Sequence, residues 1–189
     1  KDIYAVDVNT GEKKLVKENL LGQVYPSSTG KYIMWYDRKA KHYFAWDGDS
    51  TRNITAKIKF PLWNEEHDSP SDPAPYGVMG WEKENENMMV YDRYDIWRIN
   101  LNNLDTTQIT FGRKFKTRYR YIQTDKEEIG IGSKVRLLKI FNENDKSEGL
   151  TEWWVITNKN NKIITSNSEK NHIDNILKSK YNQVIIFTK

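Results

Sequence analysis

Cysteine is absent from this chain, which excludes disulfides, thiolate nucleophiles and any metal site built on sulfur. The absence fits a reducing cytosol and equally a periplasm in which no disulfide was needed, so composition leaves the compartment open. Histidine occurs three times, as His42, His67 and His172, far apart and without a His-x-x-x-His pair. Neither a metal centre nor a catalytic triad therefore has its usual residues. No apolar run approaches the roughly 18–20 residues that a membrane helix needs, and no membrane span is expected. A Gly-x-Ser-x-Gly elbow is missing, and Gly130-Ile-Gly-Ser133-Lys lacks the spacing of a phosphate loop and reads as a β-turn. No catalytic residue, metal or cofactor is expected of this chain. Proline is scarce, and four of its five copies fall between Pro61 and Pro75.

Aromatic residues make up 13% of the 189 residues, with 7 Trp and 11 Tyr, a supply that suits sheet faces better than helix bundles. One stretch sets the pattern. Ile96, Trp97 and Ile99 open a strand, Asn102-Asn103 breaks it and Gln108-Ile109-Thr110 resumes it, which is an antiparallel hairpin. Asp2 to Asp7, the turn Asn9-Thr10-Gly11 and Lys14-Leu15-Val16 repeat that order. So do His42 to Asp47, the turn Gly48-Asp49 and Asn53-Ile54-Thr55. Asp7 and Asp47 stand 40 residues apart and Asp47 and Asn100 stand 53 apart, with a polar loop to absorb the excess. Propeller blades of about 40–50 residues have that period. Tyr-Asp-Arg recurs at 36–38 and 91–93 between an apolar strand and the next hairpin, which makes four strands per unit.

The expected fold is therefore all-β, a partial β-propeller of four-stranded antiparallel blades, about three full ones with partial ones at either end. The boundaries are a blade part at 1–16, a blade at 20–56, a loop at 57–76, blades at 77–110 and 115–166, and the start of another at 171–189. Strands are expected at 31–36, 77–81, 87–91, 119–122, 135–141, 152–156, 162–165 and 184–187. Pro26 to Gly30 reads as a turn, and 171–180 fits one helical turn or a short strand. Lys1 abuts a strand and the other terminus is a strand too, so a piece of a longer polypeptide is expected. An incomplete ring exposes strand edges, which predicts self-association.

Net charge is +4, from 30 basic and 26 acidic residues that alternate along the chain, a solvated mixed-sign surface. Arg113 to Arg120 alternates cations with aromatics, which suits single-stranded nucleic acid but equally a strand with one wet face; no nucleic-acid partner is expected. The proline-rich loop 60–76 is the best candidate for a site, since a loop of that length in a compact domain is uncommon. Its cluster Glu65-Glu66-His67-Asp68 offers carboxylates and an imidazole to a cation or a ligand's amine, although alternate residues of an extended chain point apart. Asp47 to Thr51 lacks the Gly and Glu of a calcium loop, with Arg52 and Ile58 in their places. Trp63, Trp81, Trp97 and Trp153-Trp154 read as packing between sheets rather than as a pocket lining.

The run Phe60-Pro-Leu-Trp63-Asn-Glu-Glu-His67-Asp-Ser-Pro70, then Tyr76-Gly77, Gly80-Trp81, Tyr91-Asp-Arg-Tyr-Asp-Ile-Trp97 and Gln108-Ile-Thr-Phe-Gly-Arg113 resembles the non-catalytic β-propeller of bacterial prolyl oligopeptidase-family serine peptidases. The likeness is to the long, dipeptidyl-peptidase-like, periplasmic or secreted kind, and is strongest over 26–113. It implies a domain that gates short peptides towards a C-terminal α/β-hydrolase domain carrying Ser, Asp and His, none of which lies in this chain. In some relatives a propeller segment supplies acidic residues that hold a substrate's N-terminus; Glu65-Glu66 does not match that segment securely and no role is carried over. The alternative is a stand-alone periplasmic propeller that binds a peptide, glycan or protein partner. A propeller glycosidase would need converging carboxylates, and here the acidic residues fall mostly in turns.

Overall fold

A computed structural model describes residues 1–83, 87–125, 127, 130–132, 135–154, 159–163, 172–179 and 184–188. The described residues are all-β, arranged as five antiparallel sheets, three of them four-stranded. β1 (Ile3–Val6) pairs with β2 (Lys13–Lys17). β3 (Val24–Pro26), β4 (Ile33–Asp37), β5 (His42–Trp46) and β6 (Thr51–Asn53) form the first meander. The second contains β7 (Val78–Trp81), β8 (Asn87–Tyr91), β9 (Ile96–Asn100) and β10 (Thr106–Gln108). A 3-10 turn over Arg113–Phe115 leads into β11 (Thr117–Ile122), which pairs in order with β12 (Val135–Asn142), β13 (Glu148–Trp154) and β14 (Lys159–Ile163). β15 (Asp174–Lys178) and β16 (Ile185–Thr188) close the order as a second two-stranded sheet.

The repeat in the sequence has a cause in the turns. Asp7 accepts the N–H groups of Asn9 at 2.8 Å and Thr10 at 3.1 Å. Asn100 does the same for Asn102 at 2.9 Å and Asn103 at 3.2 Å, and Asp47 for Asp49 at 3.2 Å and Ser50 at 2.9 Å. A short polar side chain thus replaces the ladder where the chain reverses, which is why Asp or Asn recurs at these positions. In the loops after Asp7 and Asn100 the fourth residue on turns left-handed, Gly11 at φ 74 and Leu104 at φ 59. Asn142, between β12 and β13, starts a loop of the same kind, with Asn144 N–H at 2.8 Å and Lys146 at φ 65.

Neighbouring sheets bury one another. β8 is buried along its whole length. Its Met88 and Val90 join Met34, Tyr36, Tyr43 and Ala45 of the first meander in one core. Met89 and Tyr91, on the opposite side by the strand's two-residue period, join Leu138 and Trp153 of the third meander in a second core. A third core sets Leu137 and Leu150 against Ile173, with Ile176, Ile185 and Phe187 beside them. A strand covered on both faces needs the unbroken apolar run Met88-Met89-Val90. The outer faces of the two-stranded sheets stay open, with Tyr4, Val6 and Leu15 exposed at one end and Leu177, Val184 and Ile186 at the other.

Trp81, Trp97 and Trp153 are buried in these cores, as expected, and Trp63 packs against the first. Two expectations change, and one open alternative is decided. Pro26 ends β3 rather than opening a turn, which an edge strand tolerates because its outer N–H needs no partner. The basic run from Arg113 is not one strand: a 3-10 turn and the left-handed Lys116, φ 51, come first, and pairing starts at Thr117. Asp174 to Lys178, inside the undecided stretch, is a strand. The turn residue Ser133, the strand ends at 155–156 and 164–165, residues 171 and 180 and the side chain of Trp154 lie outside the described residues.

Candidate functional site

The sequence strings at 60–70, 76–77, 91–97 and 108–113 meet in space. Their meeting point is the turn between β8 and β9. Asp92 and Asp95 are both fully buried there. Asp92 accepts the N–H groups of Tyr94 at 2.7 Å and Asp95 at 2.8 Å through Oδ1, and the indole N–H of Trp97 at 2.9 Å through Oδ2. Asp95 accepts Thr110 Oγ1–H at 2.8 Å, Gly112 N–H at 2.5 Å, Gln108 Nε2–H at 3.2 Å and Arg113 N–H at 3.3 Å. Burial pushes the Asp95 carboxyl above its usual range, against the pull of the Gly112 N–H and the Thr110 hydroxyl. One carboxyl group therefore fixes the turn and the other fastens it to the segment after β10.

Arg113 carries the fastening on to the loop. Its guanidinium lies 3.4 Å from Asp92 Oδ1 and 3.7 Å from Glu65 Oε2, and stacks 4.4 Å above the Phe60 ring. Phe60 in turn touches Trp97, with centroids 6.0 Å apart. Tyr91 N–H donates to Gly77 O at 3.0 Å, and Tyr76 O–H receives the Glu65 N–H at 2.9 Å. Arg120, half-buried, donates to the carbonyls of Tyr119, Asp92 and Arg93 and lies 4.6 Å over the Tyr91 ring. Burial lowers its pKa.

The four loop residues singled out from the sequence sit beside this turn, with separate fates. Glu66 reaches Arg93 Nη2 at 2.6 Å while its side chain stays 70% exposed. Glu65 takes Arg113. His67 Nε2 lies within hydrogen-bond distance of Ser71 O, Ser69 Oγ and Ser71 Oγ, closing the loop on itself. Asp68 is exposed. Both glutamates face arginines of one neighbour, contrary to the alternation expected of an extended chain. Residues 64–67 form a turn, held by Asn64 O to His67 N–H at 3.2 Å and Asn64 Oδ1 to Glu66 N–H at 3.1 Å.

Sequence reasoning gave no site role to Asp92, Arg93, Asp95 or Arg113, and it missed Glu143, at the turn after β12, altogether. Its side chain is 11% exposed and binds Arg93 twice, Nε to Oε1 at 3.1 Å and Nη2 to Oε2 at 2.9 Å. Tyr94 O–H adds 2.9 Å and Arg118 Nε 2.9 Å. Phe141-Asn142-Glu143 stands where Tyr36-Asp37-Arg38 and Tyr91-Asp92-Arg93 stand in the other meanders, at the end of the second strand. An aromatic residue followed by Asp or Asn is the shared signal, and the charge after it is reversed, so that Arg93 of one sheet meets Glu143 of the next.

Among the described residues no group of three or more His, Asp or Glu is arranged to hold a metal ion, and no helix is long and apolar enough to cross a membrane. Glu65, Glu66, Asp92, Asp95 and Glu143 are each answered by arginine, backbone N–H or hydroxyl donors, so the arrangement braces the loop and the sheets against one another. Asp95, sealed and held by four donors, cannot meet a substrate. Gly112 is confined to glycine, because an added Cβ would lie 1.9 Å from Thr117 O. Gly112→Ala is therefore expected to cost about 1–3 kcal/mol, the range for overpacking, read as a lower midpoint in urea unfolding. An unchanged midpoint would mean that this contact relaxes freely. No protein-family model matches this chain, and no curated protein matches it significantly.

Proposed function

We propose that the chain is part of a β-propeller that gates short peptides towards the hydrolase domain of a larger periplasmic or secreted serine peptidase, and is not itself a catalyst. One observation carries the reading: three successive four-stranded meanders bury each other's faces, each with an Asx turn after its second strand, at Asp37, Asp92 and Asn142. In this reading the meanders are blades, β1–β2 and β15–β16 belong to further ones, and the apolar stripes on their outer faces are the surfaces that adjoining sheets cover. Rigid stacked sheets suit size exclusion, and the charge-braced loop 60–76 borders the approach. The resemblance of the strings that converge on the β8–β9 turn supplies the peptidase.

The test offers chromogenic dipeptide and prolyl substrates to this 189-residue chain and to the full product of its gene. Cleavage by the full product alone, stopped by a serine-directed phosphonate, is the expected result. A full product that cleaves nothing, or cleaves without sensitivity to the phosphonate, overturns the reading and leaves a stand-alone binding module in its place.

A further inference from the structure

Arg38, Arg93 and Glu143 occupy the same place in the three meanders, just past the second strand. Arg93 takes two carboxylates there, and Glu143 takes two arginines. Arg38 is half-buried too, yet it makes no hydrogen bond or ion pair with any described residue. Its neighbour Asp37 is already engaged, with Lys17 Nζ at 3.5 Å and the Ala40 N–H at 3.0 Å. The guanidinium instead lines a cleft of about 310 Å³, formed by the β4–β5 turn, the segment after β2 and Asp72 of the proline-rich loop. Loop 60–76 thus borders both places, sending Glu65 and Glu66 to the charged cluster and Asp72 to this cleft.

We infer that this cleft binds the carboxylate end of a short peptide, with Arg38 as the residue that grips it. A guanidinium presents a planar fork that matches a carboxylate. Arg93 shows that the turn permits this pairing, with Nε on one oxygen of Glu143 at 3.1 Å and Nη2 on the other at 2.9 Å. Lys39, exposed beside Arg38, adds a second cation to the cleft. A bare anion fits less well, because Glu18 and Asp72 line the same cleft, exposed and without a hydrogen bond or ion pair among the described residues. They repel a lone negative charge but accept the N–H groups that precede a peptide's terminal carboxylate. Leu20 and Leu21 add an apolar wall, with Leu21 71% exposed, which suits an apolar last side chain. The volume lies at the lower end of small-ligand clefts, roughly 300–1,000 Å³, room for a residue or two.

This rests on the gate reading in taking the ligand to be a short peptide, and adds which end of it is held. Acetyl-Gly-Leu with a free carboxylate, acetyl-Gly-Leu-amide and acetate are titrated into the 189-residue chain by calorimetry up to about 5 mM, a range that detects millimolar affinity. The Arg38 Nε–H signal is followed in a proton–nitrogen spectrum, identified by its loss in Arg38→Gln. The free acid is expected to bind at least about tenfold more tightly than the amide, as when a charged hydrogen-bond partner is lost, to bind more tightly than acetate, and to move the Arg38 signal. Arg38→Gln, which strands no partner in the fold, should weaken binding about tenfold or more, and Arg38→Lys, which keeps the charge and loses the fork, by less. Lys13→Gln, which removes the same charge at the other end of β2, leaves binding unchanged. No binding, equal binding of the amide or of acetate, a still Arg38 signal, or an equal loss in Lys13→Gln each overturns the inference. Hydrolysis by the full gene product with no peptide bound at this cleft removes the inference and keeps the gate; binding here without hydrolysis does the reverse.

Discussion

Replacing Asp92 by Ala is expected to destabilise the chain by about 3–5 kcal/mol, the range for removing a buried charged partner. Its carboxylate is fully buried and answers three donors, the N–H groups of Tyr94 and Asp95 and the Trp97 indole, with the Arg113 guanidinium 3.4 Å away. Alanine leaves all of them in a space that water enters poorly, and an unmet buried donor costs more than an average hydrogen bond contributes. Asp92→Asn separates the parts. Its amide oxygen still caps the turn, but its NH2 group faces the indole N–H, donor against donor, so it should fall between wild type and Ala in urea unfolding. Trp97→Phe removes that indole donor. The cycle of Asp92→Asn and Trp97→Phe should couple by more than the roughly 0.5 kcal/mol that independent sites show. Additivity within that margin would mean the Asp92–Trp97 bond does not hold the turn.

Asp92 also shows what was legible in advance. The Tyr-Asp-Arg recurrence and the Asp7, Asp47 and Asn100 hairpins were readable because each Asx side chain does local work, capping N–H groups two and three residues on. Alternation and apolar runs placed β4, β8 and β12 for the same local reason. What joins one sheet to the next was not legible. Glu143 answers Arg93 across 50 positions, from one sheet to the next. Pairs of that kind depend on how sheets stack, and no period in the sequence encodes them. The loop cluster differs for another reason: an extended chain would point neighbours within 65–68 apart, whereas the turn set by Asn64 brings both glutamates to arginines. The cleft at Arg38 was not legible either, because Tyr-Asp-Arg reads the same at 36–38 and 91–93 and only the fold leaves one of the two arginines without a carboxylate.

Glu143 is the second place where one side chain carries much of the structure, and its effect should depend on pH. Two arginines and a tyrosine hydroxyl converge on it, and its backbone N–H donates to Lys116 O at 2.9 Å. Burial pushes its carboxyl up, but the hydrogen bonds from Arg93 and Tyr94 and the charges of Arg93 and Arg118 outweigh burial and hold it below the ordinary value of 4.5. A carboxyl group whose pKa is lower in the folded chain binds fewer protons there than in the unfolded one. Its stabilisation is therefore complete above pH 4.5 and fades as pH falls through the lowered folded value. Glu143→Ala is expected to cost about 3 kcal/mol at pH 7, since it takes the partner from Tyr94 and Arg118 and leaves Arg93 only the exposed Glu66, and Glu143→Gln, which keeps shape and loses charge, about 1.5–3 kcal/mol. The gap between wild type and Glu143→Gln should narrow in urea unfolding below pH 4.5. Comparing the two proteins isolates this group from Asp95, whose raised carboxyl acts with the opposite sign: its contribution is present below 3.8 and lost as pH rises through the folded value. A gap that stays constant from neutral pH into acid would show that Glu143 braces the sheets by shape alone, and the arginine pairing between neighbouring meanders would lose its place in the fold's stability.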